Sequence, residues 1–202
     1  MEDLVLLVAD KQMQFTLRGA LSRPESLGIR PVSYEFRVHP YRDGGTRTDG
    51  ATVLSLERTQ FSHAMLMLDF EGSGSSELNA VALEQSLDNQ LRENWGDRAK
   101  SIVIEPELDI WMWGSDNVLQ NILGRPDEAG IREWLIGQGF HFTGAGKPTR
   151  PKEAMEKLVK KLRRPRSAST YESIAREISL TRCTDPAFIR LRDTLQRWFP
   201  VG

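Results

Sequence analysis

The chain has 202 residues, 39% hydrophobic and 27% charged, the proportions of a globular chain with one core and not of a disordered or membrane-embedded one. Its 27 basic and 28 acidic side chains nearly cancel, so no overall field draws it to nucleic acid, and any such binding must come from a local patch. A single cysteine, Cys183, excludes an intramolecular disulfide; His39, His63 and His141 have no ligand spacing, so a metal would have to sit on oxygen ligands.

No apolar run approaches the roughly 18–20 residues of a membrane span. The opening MEDLVLLVAD has neither a basic n-region nor a small-residue cleavage site, so a cytoplasmic location without membrane contact is expected. Residues 3–9, DLVLLVA, form a continuous aliphatic run, the signature of a strand covered on both faces, and Asp10 stands at its C-terminal end. KQMQFTLRGALSR then spaces Met13, Leu17, Ala20 and Leu21 as a helix that stops before Pro24. VSYEFRV, 32–38, reads as a second strand, and HPYRDGGTRTDG as a turn-rich loop around Gly44 and Gly45. A short helix is expected over 53–61, followed by the apolar strand HAMLMLDF with Asp69 and Glu71 at its C-terminal end. GSGSS, 72–76, is a flexible turn, or a cradle presenting backbone N–H groups to a phosphate; it lacks Walker spacing and a following lysine.

SSELNAVALEQSLDNQLRENWG predicts an amphipathic helix with Ser76 as N-cap and an apolar stripe of Leu78, Val81, Ala82, Leu87 and Leu91. SIVIEPEL is a further strand broken at Pro106, and DIWMWGSDNVLQNILG a helix opening at Asp109. Beyond residue 126 only helical periods follow, in EAGIREWLIGQG, PKEAMEKLVKKLRRP, TYESIAREI and DPAFIRLRDTLQRWF. The order of elements predicts a doubly wound, mostly parallel sheet over 1–125, with a helical cap over 126–202 packed on it as one structural unit.

In open parallel sheets ligands bind beyond the carboxyl ends of the strands. Asp10, Asp69, Glu71 and Asp109 would therefore share one rim, and the i, i+2 pair Asp69 and Glu71 could clasp a hard cation. Crowded carboxylates raise each other's pKa unless a cation neutralises them, with Mg2+ or Mn2+ the natural candidate. Capping or solvent exposure would account for each acid separately. The only strong charge asymmetry is the run from Lys147 to Arg166. Its Lys157, Lys160, Lys161, Arg163 and Arg164 could contact a nucleic-acid backbone, or simply form the solvated face of a helix whose Met155, Leu158, Val159 and Leu162 point inward. Trp111, Trp113 and Trp134 could stack on bases or belong to the core.

LVADKQMQFTLRGAL resembles the first motif of Toprim domains, an aliphatic strand ending in an acid before a helix, and LMLDFEG resembles the second, a strand ending in a D-x-D-type pair. IEPELDIWMWGSD, HPYRDGG and YESIAREISLTRCTDPAFIRLRDTL are similar to segments of small Toprim-like proteins of bacterial genome-defence neighbourhoods. The resemblance covers nearly the whole chain, through short motifs. It implies a Toprim-like α/β fold and a component of a bacterial antiphage system, the methylation-associated type in particular, with other subunits as partners. In active Toprim enzymes the first-motif acid handles a proton and the second-motif pair holds Mg2+ for phosphodiester cleavage. Carried over by position, Asp10 would be catalytic, Asp69 and Glu71 metal ligands, and Asp109 a further ligand or orienting group. Asp10 and Asp109 replace glutamates and Glu71 replaces an aspartate, Asp10 with about 1.5 Å less reach. Two functions therefore stand: a metal-dependent nuclease, or a catalytically degenerate Toprim-like interaction subunit of a multi-protein defence complex.

Overall fold

The computed structural model describes residues 1–202. Strands β1 (Glu2–Val8), β2 (Tyr34–Val38), β3 (Phe61–Asp69) and β4 (Ala99–Ile104) form one sheet in the order β2-β1-β3-β4, with every neighbouring pair parallel. Helix α1 (Lys11–Leu21) and the short α2 (Pro24–Leu27) connect β1 to β2, α3 (Arg42–Ser55) connects β2 to β3, and α4 (Ala80–Trp95) connects β3 to β4. Six helices follow: α5 (Asp109–Met112), α6 (Asp116–Leu123), α7 (Ile131–Gly137), α8 (Pro151–Lys161), α9 (Ala168–Glu177) and α10 (Pro186–Trp198). This is the doubly wound α/β fold that the sequence predicts, with a sheet parallel throughout and consistent with a Toprim-like architecture.

The two central strands are apolar without interruption because both their faces are covered: Leu4–Val8 and Ala64–Leu68 are at most 1% exposed. Leu6 meets Leu17 of α1 and Leu191 and Leu195 of α10 on one face. Leu7 and Leu66 press against Gly50 of α3 on the other. The chain leaves β1 toward β2 and then recrosses to β3 and β4. The topological switch point therefore falls between the carboxyl ends of β1 and β3.

The outer edge of β4 is sealed by side chains. Glu84, 4% exposed, accepts the Val103 N–H at 3.1 Å and pairs with Lys100 and Arg190 at 3.2 and 2.9 Å. Arg190 also donates to the Val103 carbonyl at 3.2 Å, and Asp88 accepts the Ser101 N–H at 2.8 Å. The outer edge of β2 has no such cover.

Four local expectations are corrected. HPYRDGGTRTDG is not a loop: α3 begins at Arg42 and runs to Ser55, while the stretch 56–60, expected to continue a short helix, is turn. α3 packs through Gly45, Thr46, Gly50 and Leu54, three small residues and one leucine, which leave no stripe of large apolar side chains for a 3.6-residue period to reveal. A Cβ at Gly45 would collide with the His39 ring. The cap of α4 is Asn79, which accepts the Ala82 N–H at 3.0 Å, and not Ser76. This shifts the buried face onto Ala80, Leu83, Leu87, Leu91 and Trp95, and leaves Leu78 and Val81 exposed. The helix expected from Asp109 is two helices, because the chain breaks at Trp113–Gly114 and Ser115 caps α6. That break lets both indoles be buried, Trp111 donating to Asp185 at 2.8 Å and Trp113 to the Pro151 carbonyl at 3.1 Å, so these two tryptophans are core and not stacking platforms.

Helices α1 and α9 meet at Gly19, where a Cβ would lie 2.7 Å from the Glu172 carbonyl oxygen and 2.9 Å from the Ala175 Cβ. Backbone cannot give way there as a flexible side chain could. Gly19→Val is expected to cost about 2–3 kcal/mol, read as a lower urea midpoint at unchanged slope.

Candidate functional site

Three of the four strands end in acids that converge beyond the sheet. Asp10 follows β1, caps α1 by accepting the Met13 N–H at 2.9 Å, and accepts Arg42 at 3.0 Å with its other oxygen. Asp43, in the first turn of α3 just beyond β2, accepts the Asp69 N–H at 2.8 Å. Asp69 ends β3 and accepts the Leu108 N–H at 2.9 Å. The Phe70 and Glu71 N–H groups donate to the Ile104 and Pro106 carbonyls at 2.8 and 3.0 Å, which extends the β3–β4 pairing and carries Glu71 to the same rim.

These residues line a cleft of about 740 Å³ that also takes in Glu107, Asp109, Lys152, Glu156 and Arg166. Seven carboxyl groups face three cations there. Each cation is matched: Arg42 with Asp10, Lys152 with Glu107 at 3.2 Å, and Arg166 with Asp109 at 2.7 Å, its other arm 3.8 Å from Glu156. Asp43, Asp69 and Glu71 have no cationic partner, and Oδ2 of Asp43 and of Asp69 makes no hydrogen bond.

The four acids proposed from sequence thus share one cleft, but not one role. Asp109 is only 2% exposed, and its carboxylate is occupied on both oxygens, by Arg166 and by the Tyr171 hydroxyl, which itself accepts Arg166 Nε at 2.8 Å. Such a carboxylate holds α5, α9 and the segment after α8 together and has no oxygen turned to a ligand. Three cleft acids were not among the four: Asp43, Glu107 and Glu156. Asp43 was hidden inside a segment read as loop, although it obeys the same rule of an acid beyond a strand end. Glu107, 5% exposed, was passed over between Pro106 and Asp109.

Burial dominates the electrostatics. It lifts the Asp69 carboxyl well above the usual aspartate value, and the charges of Asp43, Asp10 and Glu107 add to the effect. Burial likewise raises Asp43, against the pull of the Asp69 N–H, and the Asp10 charge adds to it. Glu107 and Asp109 are raised by burial despite Lys152 and Arg166 beside them.

No group of three or more His, Cys, Asp or Glu side chains stands in metal-holding geometry, so the chain builds no all-protein cage. Mg2+ seldom needs one: it keeps several waters and takes one or two carboxylates, the rest of its shell coming from substrate phosphate. Carboxylate oxygens on Asp43, Asp69 and Glu71 that have no ion-pair partner, Asp43 eased only by the nearby charge of Arg42, are a donor set that suits a hard divalent cation of this kind.

Of the basic run, only Lys152 and Arg166 reach the cleft. Lys157, Lys160, Lys161, Arg163 and Arg164 are all exposed, lie on α8 or just after it, and form no ion pair, while Met155, Leu158 and Val159 are buried beneath them. GSGSS is tied down: Ser73 is buried, its hydroxyl donates to the Phe70 carbonyl, and Arg47 donates to the Ser73 carbonyl at 2.7 Å.

The raised Asp69 pKa makes stability depend on pH with a defined sign. The unfolded chain titrates at the ordinary 3.8 and the folded chain higher, so the folded state holds the extra proton between those values and loses stability as pH rises through them. Asp69→Asn keeps an acceptor for Leu108 and removes the charge. It is expected to be more stable than the wild type above neutral pH by about 1 kcal/mol or more, the gain vanishing below the ordinary aspartate value in denaturant titrations across pH.

Comparison of the chain with protein-family models, with curated proteins and with solved structures finds no match.

Proposed function

We propose that the chain is a component of a bacterial antiviral defence system whose acidic cleft binds Mg2+ or Mn2+ and cleaves phosphodiester bonds in nucleic acid. The observation that carries this reading is the set of carboxylates without a cation at the switch point. Asp69 is fixed by two backbone contacts, its own N–H held by Asp43 and its Oδ1 holding the Leu108 N–H, and is destabilised as an anion. A fold that keeps so costly a group in place, where a neutral residue would be more stable, is consistent with selection for a ligand.

Asp69 and Glu71 would hold the cation, with Asp43 beside them. Bound there, it would supply Lewis-acid polarisation of a phosphate oxygen and a more acidic water. The chain's own groups do the rest. Asp10 takes up a proton at Oδ2 once Arg42, whose side chain is 68% exposed and free to swing, is drawn to the phosphate. Lys152 and Arg166 line the same cleft, each already paired with an acid, and the exposed basic residues of α8 and just after it offer a track for the nucleic-acid backbone.

One observation favours a second reading, a non-catalytic interaction subunit of a multi-protein defence complex. The carboxylate of Asp109 is consumed by Arg166 and Tyr171, which leaves the rim one ligand short of the motif it resembles.

A cleavage assay on plasmid and single-stranded substrates with Mn2+ separates the two. Nuclease activity is expected to need the cation and to fall at least about 100-fold in Asp69→Ala. The quadruple reversal Lys160→Glu, Lys161→Glu, Arg163→Glu and Arg164→Glu is expected to weaken nucleic-acid binding and to flatten its salt dependence by about 3 in log–log slope. Absence of cation-dependent cleavage, together with equal thermal stabilisation of wild type and Asp69→Ala by Mn2+, establishes the second reading instead.

A further inference from the structure

The two edges of the sheet are treated differently. The β4 edge is closed by Glu84, Asp88 and Arg190, whereas β2 pairs only with β1. Residues along a parallel strand direct their N–H and C=O groups alternately to one neighbour and the other. Leu4 donates to the Ser33 carbonyl and His39 to the Val8 carbonyl, so 33, 35, 37 and 39 face β1. Tyr34, Phe36 and Val38 therefore turn their backbone groups outward. None of the three makes a backbone hydrogen bond beyond the ladder, and the Phe36 carbonyl meets only the Arg37 guanidinium, at 3.2 Å. Val38, which ends this strand, is among the large apolar side chains the fold leaves exposed.

The strand is also complementary to itself. In an antiparallel pairing centred on Phe36, Phe36 lies opposite Phe36 of the second copy, Tyr34 opposite Val38, and Glu35 opposite Arg37 on both sides of the axis. That register places the outward-facing residues, 34, 36 and 38, at the hydrogen-bonded positions of an antiparallel ladder, as the geometry requires, and sets opposite charges across the strands where like charges would be unfavourable. Within one copy Arg37 pairs with Glu35 at 2.7 Å and with Glu57 at 2.7 Å; across the axis it meets the second copy's Glu35 while keeping Glu57.

We propose that the occupant of the open β2 edge is a second copy of this chain, joined by an antiparallel β2–β2 contact with two-fold symmetry into one sheet that spans both copies. The contact is isologous and closes on itself, so it yields a dimer and not a filament. The two clefts stand at opposite ends of the shared sheet, because β2 runs in opposite directions in the two copies.

A charge-exchange experiment on the full chain tests this by sedimentation equilibrium over a wide concentration range. The wild type is expected to be a dimer. Glu35→Arg and Arg37→Glu each place like charges opposite one another at both ends of the strand, and each is expected to self-associate about tenfold or more weakly. Mixing the two variants restores both opposite-charge pairs and is expected to recover a heterodimer with the wild-type affinity, a rescue that no effect confined to one copy can produce. Phe36→Cys on a Cys183→Ser background supplies an independent readout, forming a disulfide across the axis on oxidation. A wild type that stays monomeric throughout, a dimer that both single charge variants leave intact, or variants that fail to rescue each other on mixing would overturn the proposal; if Arg37→Glu does not fold, absence of the cross-axis disulfide decides against it.

Discussion

Parallel strands all point the same way, so whatever follows each of them collects at one end of the molecule. Here that geometric fact concentrates seven carboxyl groups around one cleft, and electrostatics then has to be satisfied group by group. Four acids are answered: Asp10 by Arg42, Glu107 by Lys152, and Asp109 and Glu156 by Arg166. Those left unanswered, Asp43, Asp69 and Glu71, stand at the switch point between β1 and β3 or beside it. The rest of the fold determines which acids fall into which class: the short return after β4 brings the Leu108 N–H to Asp69, α3 begins early enough to put Asp43 against the end of β3, and α8 and α9 deliver the groups that consume Asp109.

Much of this was legible in the chain. β1 and β3 show as long apolar runs because strands buried on both faces have no reason to alternate, β4 shows through its Ile102–Ile104 run, and the acids beyond these strands could be placed on a common rim from topology alone. α1 was legible from its spacing and from Pro24 just beyond it. α3 was not, since a helix that packs through Gly45, Thr46 and Gly50 carries the composition of a turn; missing it concealed Asp43. Ser76 and Asn79 are both good capping residues, and a cap at Ser76 implies a stripe through Leu78 and Val81, whereas the true cap at Asn79 turns Leu83, Leu87 and Leu91 inward.

The role of Asp109 shows a different limit. Nothing near it in sequence reveals that Arg166 and Tyr171 will close around its carboxylate, 57 and 62 residues further on. Motif position brought Asp109 to the right cleft, and only tertiary packing decides that it ties helices together. The basic run divides in the same way: Lys152 and Arg166 are absorbed into the cleft as ion-pair partners, while the residues between them remain on the surface, with a buried apolar stripe holding the helix in place.

A charged group kept unpaired in a half-buried setting is costly, and Asp69 is the residue in which that cost is greatest. Carbon-detected NMR of the Asp69 carboxyl through a pH titration, with and without Mg2+, measures it without reference to any substrate. The carboxyl is predicted to titrate well above the ordinary aspartate range in the free protein and to return toward it when Mg2+ is added. Titration in the ordinary range, or a raised value that Mg2+ leaves unmoved, would contradict a cation site built on this residue.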